Sequence, residues 1–412
     1  MTDLASSRRL YQSSGDRCYE WPELGLNLEP VIASGWMPVP ISEFIIKLSS
    51  RCNLACDYCY IYTMADQSWR YRPRFMAPHV LDQIGARIAE HAQQHRLSRV
   101  RVVMHGGEPL LGGTGLIKQA ACTIREHLPT GIRLELSVQT NGTLLNEQFM
   151  DVMHVHDIKV GLSLDGSAAH HDKHRKRFDG RGSYALASRA LHLLNSPIHR
   201  NLFGGLLCTI DVSNDPLEVY QALLEFNPPM LDFLLPHGTW SSRPPARDDS
   251  DRTPYADWLA TLFDHWYSTT ARMAPRIRLF EEIIRLLSGE RSRSDQVGLS
   301  PATFLVVDTD GSLQQVDALK ASYAGAPETG FNVFDHTVDD ALAHPAIIAR
   351  QLGLAGLAAE CQQCSIVGVC GGGHYPHRYR RGRGFLNPSV YCPDLRKLIG
   401  DISNRVGLGS VQ

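Results

Sequence analysis

Residues Arg51–Tyr60 read RCNLACDYCY, directly behind the β-rich run Phe44–Leu48. Cys52, Cys56 and Cys59 stand in a C-x3-C-x2-C spacing on one short loop. Three thiolates so placed can hold three irons of a cubane 4Fe–4S cluster, which a fourth cysteine normally closes. The local motif supplies none, so one iron is left open to a chelating substrate. Zinc is the competing metal. It prefers four ligands in paired C-x2-C knuckles, and no second pair lies near this loop.

Outward from this loop the chain alternates short β-rich runs with helical patterns. Strands are predicted at Phe44–Leu48, Val100–Met104, Arg133–Val138, Ile158–Leu164, Gly205–Ile210 and Leu231–Leu235. Helices are predicted near 77–95, 115–127, 145–154, 183–195, 216–226 and 254–289. Such alternation implies a parallel sheet with right-handed crossovers, hence an α/β chain folded as a partial (β/α)6 barrel. A barrel of this kind places its site at the C-terminal ends of its strands, where the cysteine loop falls. Residues 1–40 read as an N-terminal lead-in, 41–300 as the barrel and 301–412 as a second, cysteine-bearing domain. Gly238–Thr253 reads as a surface loop, Asp310-Gly311 as a hairpin turn and 393–406 as a closing helix.

The 412 residues are 43% hydrophobic and 20% charged, with a formal net charge of −2, so neither a nucleic-acid partner nor a membrane span is indicated. The N-terminus lacks a secretory apolar stretch, and a cytoplasmic location is expected. Ten cysteines are many for a reducing compartment, where grouped cysteines usually bind metal. Seven fall into two groups, 52/56/59 and 361/364/370/392, while Cys18, Cys122 and Cys208 stand alone.

Further motifs follow at successive strand ends: HGGEPL at His105–Leu110, QTNG at Gln139–Gly142, and SLDG at Ser163–Gly166 with Arg175 beyond it. Together with the cysteine loop they resemble the radical S-adenosylmethionine (SAM) superfamily. The resemblance implies that SAM chelates the open iron and is cleaved reductively to a 5′-deoxyadenosyl radical. It implies SAM contacts from Gly106, Gly107 and Glu108, from Gln139 and Asn141, and from Ser163 and Arg175, with Tyr58 near the adenine. A guanidinium suits the SAM carboxylate because it bonds in bidentate fashion. His170, His171 and His174 are read as a polar loop rather than a metal run.

The second group, Cys361-x2-Cys364-x5-Cys370 and then Cys392, resembles the SPASM extension. In full form that extension carries seven cysteines and two auxiliary 4Fe–4S clusters. Here His374 and Val316 occupy two of its cysteine positions, and no cysteine lies between 209 and 360. The resemblance therefore implies one auxiliary 4Fe–4S cluster on Cys361, Cys364, Cys370 and Cys392. A structural zinc on the same thiolates is the alternative.

Longer strings, CNLACDYCYIYTMADQSW, HGGEPLL, LPHGTW and GFLNPSVYCPDL, resemble the FxsB-like cyclophane-forming peptide maturases. That resemblance implies a radical SAM oxidoreductase acting on a ribosomally made precursor peptide. It would join an aromatic ring to the β-carbon of a residue two positions on, giving a three-residue cyclophane. A one-electron reductant such as a flavodoxin or ferredoxin is implied as a partner. Asp165, Asp211 and His237 are the candidates for proton acceptor because they sit at strand ends. Trp240 and Tyr391 are candidate peptide contacts, with core packing the default. The 51 residues before Cys52 are too few for a typical separate domain, so leader recognition is expected on the barrel–SPASM surface or on another protein. The alternatives are a thioether-forming, otherwise oxidising or epimerising maturase, and, from another class, an Fe–S electron carrier or sensor.

Overall fold

The computed structural model describes residues 25–248, 250–269 and 274–407; Cys18 and most of the lead-in lie outside them. Six parallel strands follow one another in chain order: β1 (Glu43–Ser49), β2 (Arg99–Gly106), β3 (Arg133–Thr140), β4 (Ile158–Ser163), β5 (Phe203–Thr209) and β6 (Met230–Leu234). In β2, β3 and β4 buried residues alternate with more exposed ones, so that Val100, Val102, Val138, Val160 and Leu162 face the covering helices. The helices Pro78–Gln94 and Gly113–His127 cover the sheet from outside, with Ile84, Ile88, Ile117 and Ile124 fully buried. Pro216–Leu224 starts on a proline behind Asp215, whose carboxylate accepts from the Leu217 and Glu218 N–H groups, both at about 3 Å.

The α/β radical SAM fold read from the sequence is the fold observed, and all six strands lie where they were predicted. The sheet also extends beyond them. β7 (Arg276–Ile277) pairs with β6, and β8 (Phe304–Val307) pairs parallel to β1 on the opposite edge. β8 and the antiparallel β9 (Ser312–Gln314) form the hairpin expected at Asp310-Gly311, and β10 (Glu328–Asn332) pairs antiparallel to β9. One ten-stranded sheet thus joins the barrel to the hairpin. Lys47 pins that joint from within β1. Its buried ammonium lies 2.7 Å from Asp308 and 3.0 Å from Asp317, and these carboxylates raise its pKa against the effect of burial.

Three local expectations are corrected. The single helix at 254–289 is two, Pro254–Ser268 and Arg278–Leu287, because β7 intervenes. The His170–His174 segment is helical (Ala168–His174), capped by the Ser167 hydroxyl, and not a loop. Gly238–Thr253 is in part a packed joint. Trp240 donates from Nε1 to the Pro388 carbonyl at 2.7 Å, and Arg247 donates to the Val390 carbonyl at 3.2 Å. Among the described residues, no helix is long and apolar enough to cross a membrane.

Candidate active site

The loop after β1 is held by the loop after β2. The Gly107 N–H donates to the Ser49 carbonyl at 2.9 Å and the Glu108 N–H to the Arg51 carbonyl at 3.0 Å. Both glycines are required by contact. A Cβ on Gly106 would lie 2.2 Å from the Ser49 oxygen, and one on Gly107 would lie 1.8 Å from the Tyr62 hydroxyl and 2.5 Å from the Arg51 oxygen. Gly106 also has φ +136°, a region costly for any side chain. Glycine here seats the cysteine loop itself, a role the motif did not disclose.

Glu108 is fully buried. It accepts from the Leu110 N–H, the Thr140 hydroxyl and the Asn141 N–H at 3.0, 2.7 and 2.8 Å. Burial raises its pKa to about 7, against these three bonds. Glu108 therefore locks the HGGEPL turn onto the QTNG turn. Asn141 continues the link, donating to Asn53 at 2.9 Å and reaching Cys52 Sγ at 3.8 Å. Gln139 donates to the Ser163 hydroxyl at 3.1 Å, so neighbouring strand ends share a side-chain bond.

The three thiols lie close enough to influence one another. Burial pushes Cys52 up to about 12, with the Glu108 carboxylate and the Cys56 and Cys59 sulfurs adding to it. Burial pushes Cys56 up to about 11, although Arg175 opposes the shift. A bound cation reverses such shifts by deprotonating its thiols outright, so the donor set suits iron.

Asp165 and Arg175 form the far wall. Arg175 Nε donates to Asp165 at 2.8 Å and its guanidinium lies 5.5 Å from the Tyr58 ring centre, while the Tyr58 hydroxyl bonds the same carboxylate. Asp165 also accepts from the Thr209 N–H at 3.0 Å. Although burial opposes it, Arg175 holds the Asp165 carboxyl below the usual range. His171 is buried against Ser183, and burial lowers it to about 4. His174 bridges Asp57, inside the cysteine loop, to Asp211 at 3.0 and 3.1 Å. Lys173 and His174 hold Asp211 well below the ordinary range despite its partial burial. Asp165 and Asp211 are thus weak bases fixed by cations. His237, beyond β6, is separate from both. It packs edge-on to Tyr60 at 4.5 Å, and burial lowers it to about 3.

Cys361, Cys364, Cys370 and Cys392 together line a cavity of about 120 Å³. Four thiolates are the usual ligand count for a 4Fe–4S cluster and also suit a structural zinc. Three consecutive left-handed glycines, Gly371 to Gly373, carry the chain past Cys370. The buried Arg378 guanidinium donates to all three of their carbonyls at 2.6 to 3.1 Å. Sequence reasoning missed Arg378, whose only signal was an arginine shortly after a glycine run. It also missed Asn53 inside the cysteine loop. Trp240 and Tyr391 are structural: the buried Tyr391 hydroxyl donates to the Pro236 carbonyl at 2.7 Å. All nine cysteines among the described residues are free thiols.

Residues 46–215 match the Radical SAM superfamily. The chain is similar to a serine-type anaerobic sulfatase-maturating enzyme of Klebsiella aerogenes, 27% identical over 88% of this chain and 86% of that one. A cysteine-type anaerobic sulfatase-maturating enzyme of Clostridium perfringens is 24% identical over 87% and 95%. Among solved structures, native anSMEcpe with bound AdoMet superposes with a TM-score of 0.76 at 24% identity, over 88% of this chain and 98% of that one. Streptococcus suis SuiB bound to precursor peptide SuiA gives 0.59 at 16% identity, over 94% and 85%.

Proposed function

We propose that the chain is a radical SAM enzyme that modifies a ribosomally made peptide, joining an aromatic ring carbon to the β-carbon of a residue two positions on with net loss of two hydrogens. When bound, a 4Fe–4S cluster with SAM on its open iron supplies a 5′-deoxyadenosyl radical, and a second cluster supplies a one-electron acceptor. Cys52, Cys56 and Cys59 would hold the first cluster. Tyr58 within that loop, and Gly106, Gly107, Gln139, Asn141, Ser163 and Arg175 from the neighbouring strand ends and the segment after β4, would position SAM. Glu108 supports them from beneath through its bonds to Asn141 and Leu110. Cys361, Cys364, Cys370 and Cys392 would hold the second cluster in the C-terminal domain, residues 301–412. Asp165 keeps Arg175 oriented, and Asp211 keeps Lys173 and His174 over the loop.

The observation that carries this reading is the four-cysteine cavity. It is a closed thiolate set, suited to accepting an electron, and not to binding peptide. The resemblance of the strings CNLACDYCYIYTMADQSW, HGGEPLL, LPHGTW and GFLNPSVYCPDL to cyclophane-forming maturases supports the bond type. A second reading, oxidation of a serine or cysteine in a sulfatase, is favoured by the names of the similar enzymes. Against it stand His374 and Val316 where the SPASM pattern has cysteines. Tandem mass spectrometry of co-expressed peptide separates the two. A two-hydrogen loss mapped to an aromatic ring and a β-carbon supports the proposal. The same loss on a lone serine or cysteine, or on a sulfur bridge, rejects it.

A further inference from the structure

His374 stands in one of the missing cysteine positions, and the fold does not leave it isolated. One ring nitrogen from each of His237, His374 and His377 lies within 4.8 Å of the other two. His237 Nδ1 and His377 Nε2 are sealed from solvent and have no hydrogen-bond partner. Leaving buried polar atoms unpaired is unfavourable, so two in one cluster point to a missing electrophile. His374 Nε2 lies 3.3 Å from the Asp295 carboxylate, so Nδ1 is the nitrogen it would offer a ligand. A carboxylate on the far nitrogen is the usual way to orient a metal-binding imidazole.

The surroundings fix where this cluster sits. The His237 ring meets Tyr60, the residue after Cys59, at 4.5 Å. The His377 ring meets Tyr391, the residue before Cys392, at 4.9 Å. The three imidazoles therefore pack against residues that flank Cys59 and Cys392 in sequence, and His237 follows the C-terminal end of β6. A second convergence of histidines, His91 and His95 on Asp339, differs in kind. Its nitrogens are already bonded to that carboxylate at 3.1 and 2.5 Å and to the Ile41 N–H at 3.1 Å.

We propose that His237, His374 and His377 bind a single divalent first-row transition ion, distinct from both cysteine centres. Three neutral imidazoles with an open fourth position suit zinc, ferrous iron or cobalt. Tetrahedral donors at about 2.0–2.1 Å from zinc sit roughly 3.4 Å apart, a contraction that side-chain rotation provides. The inference stands on the imidazole geometry and holds whichever peptide bond the enzyme makes.

The probe is zinc alone, added at buffered free concentration to full-length protein whose cysteine centres have been filled with iron and sulfide. Elemental analysis counts zinc and iron, and zinc K-edge absorption reads the ligands without interference from iron. About one zinc per chain with only nitrogen or oxygen near 2.0–2.1 Å is expected. In His374→Ala, zinc affinity should fall by about tenfold or more, with iron content unchanged. His374→Asn, at a half-buried position, serves where the alanine variant folds poorly by circular dichroism. Sulfur scattering near 2.3 Å would place the zinc on cysteines and overturn the proposal. Zinc affinity unchanged in both His374 variants would overturn it as well.

Discussion

Around Cys52, Cys56 and Cys59 the backbone is fixed by the ends of neighbouring strands, whereas around Cys361, Cys364 and Cys370 it is fixed largely by its own turns. The first loop borrows its shape from β2 through Gly106 and Gly107, and from the segment after Ala168–His174 through the Ala55 N–H on Lys176 at 2.7 Å. The second is a chain of short helices in which the Cys364 N–H donates to the Cys361 carbonyl at 3.1 Å and the Cys370 N–H to the Ile366 carbonyl at 2.8 Å. Only Cys392 begins a long core helix, Cys392–Val406. One centre is thus preformed by the barrel, while the other gains more of its order from whatever its thiolates bind. The preformed loop carries three cysteines, and the other group carries four, the last of them on the core helix.

The largest expected effect breaks the first centre. Replacing Cys52, Cys56 and Cys59 together by Ala should abolish 5′-deoxyadenosine formation while leaving circular dichroism unchanged, because the loop is held by backbone bonds. Retained deoxyadenosine would refute the assignment. Cys392→Ala should instead keep SAM cleavage within several-fold and lose the modified peptide. It should also lower the melting temperature, since its loop has little core of its own. Equal loss of both readouts in a folded Cys392→Ala protein would show that the two centres do not divide the chemistry.

Legibility in the sequence followed the same division. The strand ends and both cysteine groups were readable because strand periodicity and Cys spacing are local signals. The Glu108–Asn141 lock and the Asp165–Arg175–Tyr58 wall were not, since each joins residues from different βα units. β7 escaped because two residues carry no period. The pairing of β8 with β1 spans more than 250 positions, and only topology brings those strands together. The histidine cluster was hidden for the same reason. His374 stood out as an oddity in the cysteine pattern, but nothing in the sequence placed His237 beside it.

The glycines sharpen the comparison at intermediate cost. Gly107→Ala forces a Cβ to within 1.8 Å of Tyr62 and 2.5 Å of Arg51, displacing the cysteine loop. Overpacking of this kind costs about 1–3 kcal/mol. Gly371→Ala meets the Gly298 oxygen at 1.8 Å and also occupies φ +59°. Its stability loss should be at least as large, because left-handed strain adds to the clash. The functional effects should differ. Gly107→Ala is expected to lose SAM cleavage, and Gly371→Ala to retain it while losing iron from the second centre. Thermal denaturation, iron content and deoxyadenosine yield together test the pair. Iron loss confined to the first centre in both variants would contradict the separation.

The smallest effect concerns pH, where the two centres have unlike cations. Arg378 braces the second centre, and a guanidinium does not titrate in the working range. His174 braces the first, bridging Asp57 and Asp211 at 3.0 and 3.1 Å. Burial opposes its charge, but bonds to Asp211 and Asp57 win, so its folded pKa is raised. A raised pKa gives a contribution fully present below the unfolded value, about 6.5, and lost as pH rises through the folded value. The bridge is partly exposed, so its worth is that of a surface pair, about 0–1 kcal/mol. His174→Gln should therefore destabilise the protein slightly at pH 6 and hardly at all at pH 9. The quantity to read is the difference between wild type and variant at each pH. That difference should shrink toward alkaline pH and shrink with added salt. A constant difference across pH would mean that His174 acts by packing alone. The cysteine loop would then have no titrating brace to set against Arg378.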